Sequence, residues 1–197
     1  MKDVEEARSA WGLWGNARLL RALLVQARQR RPAGAYLLCG PEGVGKRHAA
    51  LAFARTINCQ GSPPPCGECD SCRALRLGVH PEVRLVEPDR GLIRIEAIRE
   101  LQGWALLRAR PGMTKVAVLD GADRMNAAAA NCLLKLLEEP PPGTVFFLVS
   151  AEPHRLPATV VSRCQPYRFR PLRRQEVVEV LRERGVEPAE ELAPLAM

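Results

Sequence analysis

The sequence predicts an α/β fold built on a parallel, doubly wound sheet, and three observations carry that prediction. Short apolar runs of the buried-strand type, Ala35–Cys39, residues 116–119 and residues 145–149, alternate with stretches of helical periodicity. The first run enters a glycine-rich turn, Gly40-Pro41-Glu42-Gly43-Val44-Gly45-Lys46-Arg47, which opens a helix. In a chain of 197 residues, an apolar share of 47% suffices for one compact domain with a core, and strands buried on both faces need such continuous apolar runs.

Taken in order, the elements justify themselves locally. Across residues 15–30, Leu19, Leu20, Leu23, Leu24 and Ala27 recur at helical spacing until Pro32-Ala33-Gly34 stops the helix. The strand Ala35–Cys39, the glycine turn and a helix over residues 48–57 form a strand, phosphate-type loop, helix unit. Gly61-Ser62-Pro63-Pro64-Pro65 breaks regularity and opens a Cys-rich segment ending near Arg73, which reads as an insertion. Val83–Val86 is the second strand, followed by a turn at Pro88-Asp89-Arg90-Gly91 and a helix over about residues 96–107. A third strand runs from Lys115 to Asp120, Asn126 caps a helix to Glu138 or Glu139, and Pro140-Pro141-Pro142-Gly143 closes it. Residues 145–149 form the next strand, residues 167–169 a final edge strand after a short helical stretch, and residues 174–184 begin a helix beyond Pro171.

Composition narrows the function classes. Lys and Arg total 29 against 22 Asp and Glu, a net charge of +7 carried by Arg, since the only lysines are Lys2, Lys46, Lys115 and Lys135. Such an excess permits contacts with a phosphate backbone and is equally the solvated surface of an Arg-rich protein. No apolar stretch approaches the roughly 20 residues of a membrane helix, so no membrane partner is expected. The start Met1-Lys2-Asp3-Val4-Glu5-Glu6 is acidic where a secretory signal is basic and then apolar, which predicts a cytoplasmic protein. Its seven Cys are then thiols or metal ligands before they are disulfides.

Four of them, Cys59, Cys66, Cys69 and Cys72, follow a C-x6-C-x2-C-x2-C spacing within fourteen residues. Four thiolates suit tetrahedral zinc, and a closed four-Cys set leaves no position for water, so the metal is structural. Disulfides or unliganded thiols are the alternatives. His80 lies outside the compact spacing and reads as a surface histidine.

The loop with Gly40, Gly43, Gly45 and Lys46 matches G-x-x-x-x-G-K between a strand and a helix, where backbone N–H groups and a Lys ammonium receive nucleotide phosphates such as those of ATP. The next position departs from the pattern. A Ser or Thr there gives its hydroxyl to Mg²⁺, whereas Arg47 offers no acceptor and brings a repelling charge. Asp120 ends its strand where a nucleoside triphosphatase holds Mg²⁺, yet the next residue is Gly121 rather than a water-polarising Glu, and Asp123 sits on the turn beyond. Both losses predict nucleotide binding without hydrolysis, or a vestigial loop that holds nothing.

These motifs, together with the run Leu133-Leu134-Lys135-Leu136-Leu137-Glu138-Glu139-Pro140-Pro141 and Leu156-Pro157-Ala158-Thr159-Val160-Val161-Ser162-Arg163-Cys164, resemble the bacterial DNA polymerase III clamp-loader subunits, an AAA+ group. The likeness covers about residues 11–184. Motor subunits of the gamma and tau type carry Thr or Ser after the loop Lys and Glu after the strand Asp. This sequence carries neither and is most similar to the delta-prime type. The resemblance implies an AAA+ core over residues 1–170 with a zinc insertion at about 59–73, and a helical lid beginning in 171–197. It implies partnership with gamma/tau and delta subunits, and through them with the sliding clamp and primed DNA. It further implies that Arg163 is an arginine finger acting in trans in a neighbour's ATP site, and that Ser150 falls where a polar residue senses the γ-phosphate, although a lone Ser at a strand end is commonly a turn residue. Two other readings stay open, a motor subunit with its own ATPase and a zinc-dependent nucleic-acid-binding module.

Overall fold

Five parallel strands form one sheet in the order β2-β3-β4-β1-β5 in the computed structural model of the chain. The described residues are 10–183, 185 and 186. The acidic start at residues 1–6, Arg184 and the segment 187–197 of the expected lid lie outside them.

Strand β1 (Ala35–Cys39) runs between β4 (Thr144–Ser150) and β5 (Gln165–Arg168), while β3 (Lys115–Asp120) joins β4 to β2 (Val83–Val86) at the far edge. Helices α1 (Ala17–Arg28) and α2 (Lys46–Ile57) cover one face. The other is covered by α4 (Ile95–Leu106), α5 (Ala127–Glu138) and the short α6 (Ala158–Val161). Helix α3 (Asp70–Arg76) lies within the Cys-rich insertion, and α7 (Arg174–Glu183) follows β5.

Alternation along the strands sorts the core into two layers. Tyr36, Val118 and Phe147 point toward α1 and α2, where they meet Leu20, Leu23, Phe53 and Ile57. Leu37, Leu119, Phe146 and Leu148 point the other way, toward Ile98, Leu101, Leu133 and Leu136. Tyr36 and Phe147 stack with ring centroids 4.7 Å apart, and Phe53 meets Phe147 edge-on at 4.9 Å. Each such buried side chain contributes roughly 1.5–3 kcal/mol by leaving water, and together they fix the strand ends that carry the site.

The boundaries differ from the sequence expectation for local reasons. Helix α1 begins later, after Asn16, whose side chain both donates to the Arg170 carbonyl (3.0 Å) and accepts from the Arg170 N–H (2.9 Å), which ties its start to the chain beyond β5. Helix α2 begins two residues earlier than 48, because Gly45 caps it and its carbonyl accepts from Ala49 N–H. Strand β5 is shifted toward the N-terminus, and Phe169 instead buries its ring in the first core layer. Asn126 caps α5 as expected, its Oδ1 accepting from Ala129 N–H at 2.8 Å.

Candidate functional site: a phosphate-loop cleft, a four-thiol cluster and an exposed arginine

In a doubly wound sheet, ligands sit beyond the carboxyl ends of the strands where their order reverses. Here that place is a cleft of about 360 Å³ whose lining includes Gly43, Lys46, Arg47, Asp120, Asp123 and Arg124. Gly40 opens the loop at φ 143°, and a Cβ there would stand 2.4 Å from the Phe169 carbonyl oxygen, so no other residue fits. Lys46 is buried, and its ammonium donates to the carbonyl oxygens of Gly40 (2.6 Å) and Pro41. Burial lowers its pKa, with the carboxylates of Asp120, Glu42 and Asp123 opposing.

Arg47 does more than repel a cation. Its Nη1 donates to Glu87 Oε1, just past β2, and lies 3.4 Å from Asp120 Oδ2 at the end of β3. The guanidinium therefore occupies the flank of Asp120 that a metal and a loop hydroxyl share in hydrolysing P-loop proteins, held there by two carboxylates that the sequence reading did not identify as its partners. Gly121 has φ 79°, and a Cβ there would come within 3.1 Å of Pro88 Cγ. The backbone at this point disfavours the glutamate that a water-polarising role needs. Asp123 Oδ1 accepts from Ala151 N–H at 3.1 Å, which employs that carboxylate in joining two turns. Ser150 is fully buried; alternation turns it to the side of Phe146 and Leu148, and its hydroxyl has no hydrogen-bond partner among the described residues.

The four cysteines converge. The Sγ atoms of Cys59, Cys66, Cys69 and Cys72 all lie within 4.8 Å of one another, a donor set that fits a tetrahedral zinc module. Cys59 follows α2, Cys66 and Cys69 lie on the intervening turns, and Cys72 sits on α3. Amide groups prepare the sulfurs for negative charge: Cys66 Sγ accepts from Cys69 N–H at 3.4 Å, and Cys59 Sγ from Cys66 N–H at 3.2 Å. The backbone donors of Cys69 and Glu68 bring the Cys66 thiol down to about 6, whereas burial pushes Cys72 up to about 12. Zinc binding requires all four as thiolates, and a shared cation supplies the compensation that burial denies them.

His80 is not on the surface. It is buried, its Nε2 lies 3.0 Å from Ser71 Oγ, and its Nδ1 accepts from Glu82 N–H, so it pins α3 to the chain entering β2. Burial lowers its pKa and keeps the ring neutral. The spacing that separated it from the thiols was sound, but the inference of exposure was not, since α3 folds the intervening residues back.

Arg163 stands beyond α6, with its side chain 34% exposed. Its Nη1 donates to the Thr159 carbonyl at 2.8 Å and its Nη2 to Glu138 Oε1 at 2.6 Å. Neighbouring Cys164 is buried in the second core layer, which roots this surface arginine in a rigid base. Sequence reasoning missed the roles of Glu87 and Glu138. Glu87 follows a parallel strand at its carboxyl end, a position aimed at the cleft, whereas Glu138 carries no local signal of its partner 25 residues away.

The family described as DNA polymerase III, delta subunit, matches residues 15–173. The DNA polymerase III subunit delta' of Pseudomonas aeruginosa is 44% identical over 136 residues, covering 67% of this chain and 42% of that protein. The subunit delta' of Bacillus subtilis is 37% identical over 172 residues, covering 87% of this chain and 52% of that protein. The subunit tau of the same organism is 34% identical over 83% of this chain. This chain thus spans about half the length, or less, of these curated relatives. Among solved structures, a DNA polymerase III gamma subunit-related protein from Thermotoga maritima superposes with a TM-score of 0.63 at 22% identity, covering 88% of this chain and 56% of that one. A Holliday junction branch migration motor from Thermotoga maritima shares the fold at a TM-score of 0.57 and 20% identity, covering 91% of this chain and 56% of that one. With the match spanning most of its length and the AAA+ fold beneath it, the chain belongs to the DNA polymerase III delta/delta-prime clamp-loader family.

Proposed function

We propose that this chain is a delta-prime-like stator, a subunit that does not hydrolyse ATP itself and presents Arg163 to a neighbouring motor subunit during sliding-clamp loading. The observation that carries this reading is the contact of Arg47 with Asp120. A guanidinium at that carboxylate competes directly with Mg²⁺, and Gly121 offers no base for the attacking water. Any nucleotide held by Gly40, Gly43, Gly45 and Lys46 is then bound without turnover.

In the same reading zinc holds the four-thiol insertion, gamma/tau and delta subunits are the partners, and clamp and primed DNA are reached through the assembly. The cytoplasm is the place where those partners work, and among the described residues no helix is long and apolar enough to cross a membrane. Residues 1–170 would form the AAA+ core, and 171–197 begin the lid.

Steady-state ATP hydrolysis by the purified full-length protein tests the first half of the proposal. The expected rate with Mg²⁺ is at background and is unchanged in Lys46→Ala; hydrolysis at a motor subunit's rate, abolished by that substitution, would overturn it.

A further inference from the structure

We propose that Glu138 is a positioning residue for Arg163, holding the guanidinium ready for a phosphate presented by the neighbouring chain. The inference rests on the trans-acting reading of Arg163 and adds to it the residue that sets its geometry. Arg163 is not a loose surface side chain. Nη2 is bound by Glu138 Oε1 at 2.6 Å and Nη1 by the Thr159 carbonyl at 2.8 Å, so two anchors on different elements fix the plane of the fork. The supports are rigid: α5 and α6 share the second core layer, in which Leu133, Leu136, Leu137, Val160 and Cys164 are buried.

A guanidinium carries five N–H donors, and these two anchors use one on each terminal nitrogen. Nη1 also lies 3.5 Å from Ser162 Oγ, so Nε–H and the second hydrogen of Nη2 are the donors left for an oxyanion, enough for the bidentate grip that phosphate favours. Prior fixing matters because an unanchored arginine must lose its rotamer freedom when it engages the phosphate, at the expense of the transition state. The placement of Glu138 agrees with this. It ends α5, where the helix dipole disfavours a carboxylate, and Arg163 supplies the compensating charge.

The test is steady-state ATP turnover by the full-length protein assembled with gamma/tau-type and delta subunits, clamp and primed DNA. Four forms of this chain are compared with wild type: Arg163→Ala, Glu138→Ala, Glu138→Gln and the double Ala variant. Glu138→Ala is expected to lower kcat about tenfold with the KM for ATP unchanged. Glu138→Gln, whose amide oxygen still accepts from Nη2, should stay within about twofold of wild type, and the double variant should be no slower than Arg163→Ala alone. Since Glu138 is about half exposed, the variants should fold, and an unchanged thermal midpoint for Glu138→Gln verifies it. A Glu138→Ala rate equal to or above wild type, a shift confined to KM, or equal loss in the Gln and Ala variants would overturn the proposal while leaving the role of Arg163 intact. A wild-type rate for Arg163→Ala would instead remove the underlying reading, and the positioning role with it.

Discussion

Two single residues decide what the phosphate-loop cleft can hold. Arg47 follows the loop lysine and reaches Asp120 and Glu87, and Gly121 follows Asp120 with a backbone that resists a side chain. Both departures were legible in the sequence because they interrupt a motif of fixed spacing. Their consequences were only partly legible, since Glu87 lies 40 residues from Arg47 and joins it at Asp120 only in the folded sheet, where β2 runs beside β3. The backbone at Gly121 makes a sharp prediction. Gly121→Glu, which restores the missing acid by composition, should lower stability by about 1–3 kcal/mol in urea unfolding and leave ATP hydrolysis at background. A variant of undiminished stability would show that the positive φ at this turn is not required.

At the scale of elements, the inserted segment between α2 and β2 shows how far spacing alone carries. The four-Cys pattern predicted one metal site, and the four sulfurs do converge. The same pattern did not show that Cys72 rides on a helix, because Asp70–Arg76 is too short to display a helical period. Nor did it place His80, which the fold buries against Ser71. Beyond the thiols, the segment is tied to the rest of the chain by contacts that include the Ser71 to His80 pair, Arg28 donating to the Pro64 carbonyl, Arg30 donating to the Cys59 carbonyl, and Leu75 packed against the first core layer. If zinc occupies the four thiols as proposed, its binding is coupled to the order of this segment, because four clustered thiolates are stable together only with a shared cation. Elemental analysis should find one zinc per chain, and Cys69→Ser should lose at least about nine-tenths of the zinc affinity. Amide hydrogen exchange in that variant should accelerate across residues 59–76 and spare β1, β3 and β4, whose core is built without the metal. Full metal content in Cys69→Ser would exclude this thiol as a ligand.

For the whole molecule, the doubly wound α/β architecture followed from alternating strand and helix signals. The long apolar strands β1, β3 and β4 were the most legible because they are buried on both faces. The edge strand β5, Gln165–Arg168, was displaced in the sequence reading because only its Tyr167 is even partly buried. What the fold achieves as a unit is to combine a cleft whose acid is already paired with an arginine exposed on a rigid base. In the proposed function, this chain contributes to ATP hydrolysis through a neighbour's site rather than its own. The most direct measurement is the ATP turnover of a clamp loader assembled with motor subunits, delta, clamp and primed DNA, in which the only change is Arg163→Ala in this chain. A steep fall in turnover with assembly intact is expected, and an unaltered rate would contradict a trans-acting Arg163.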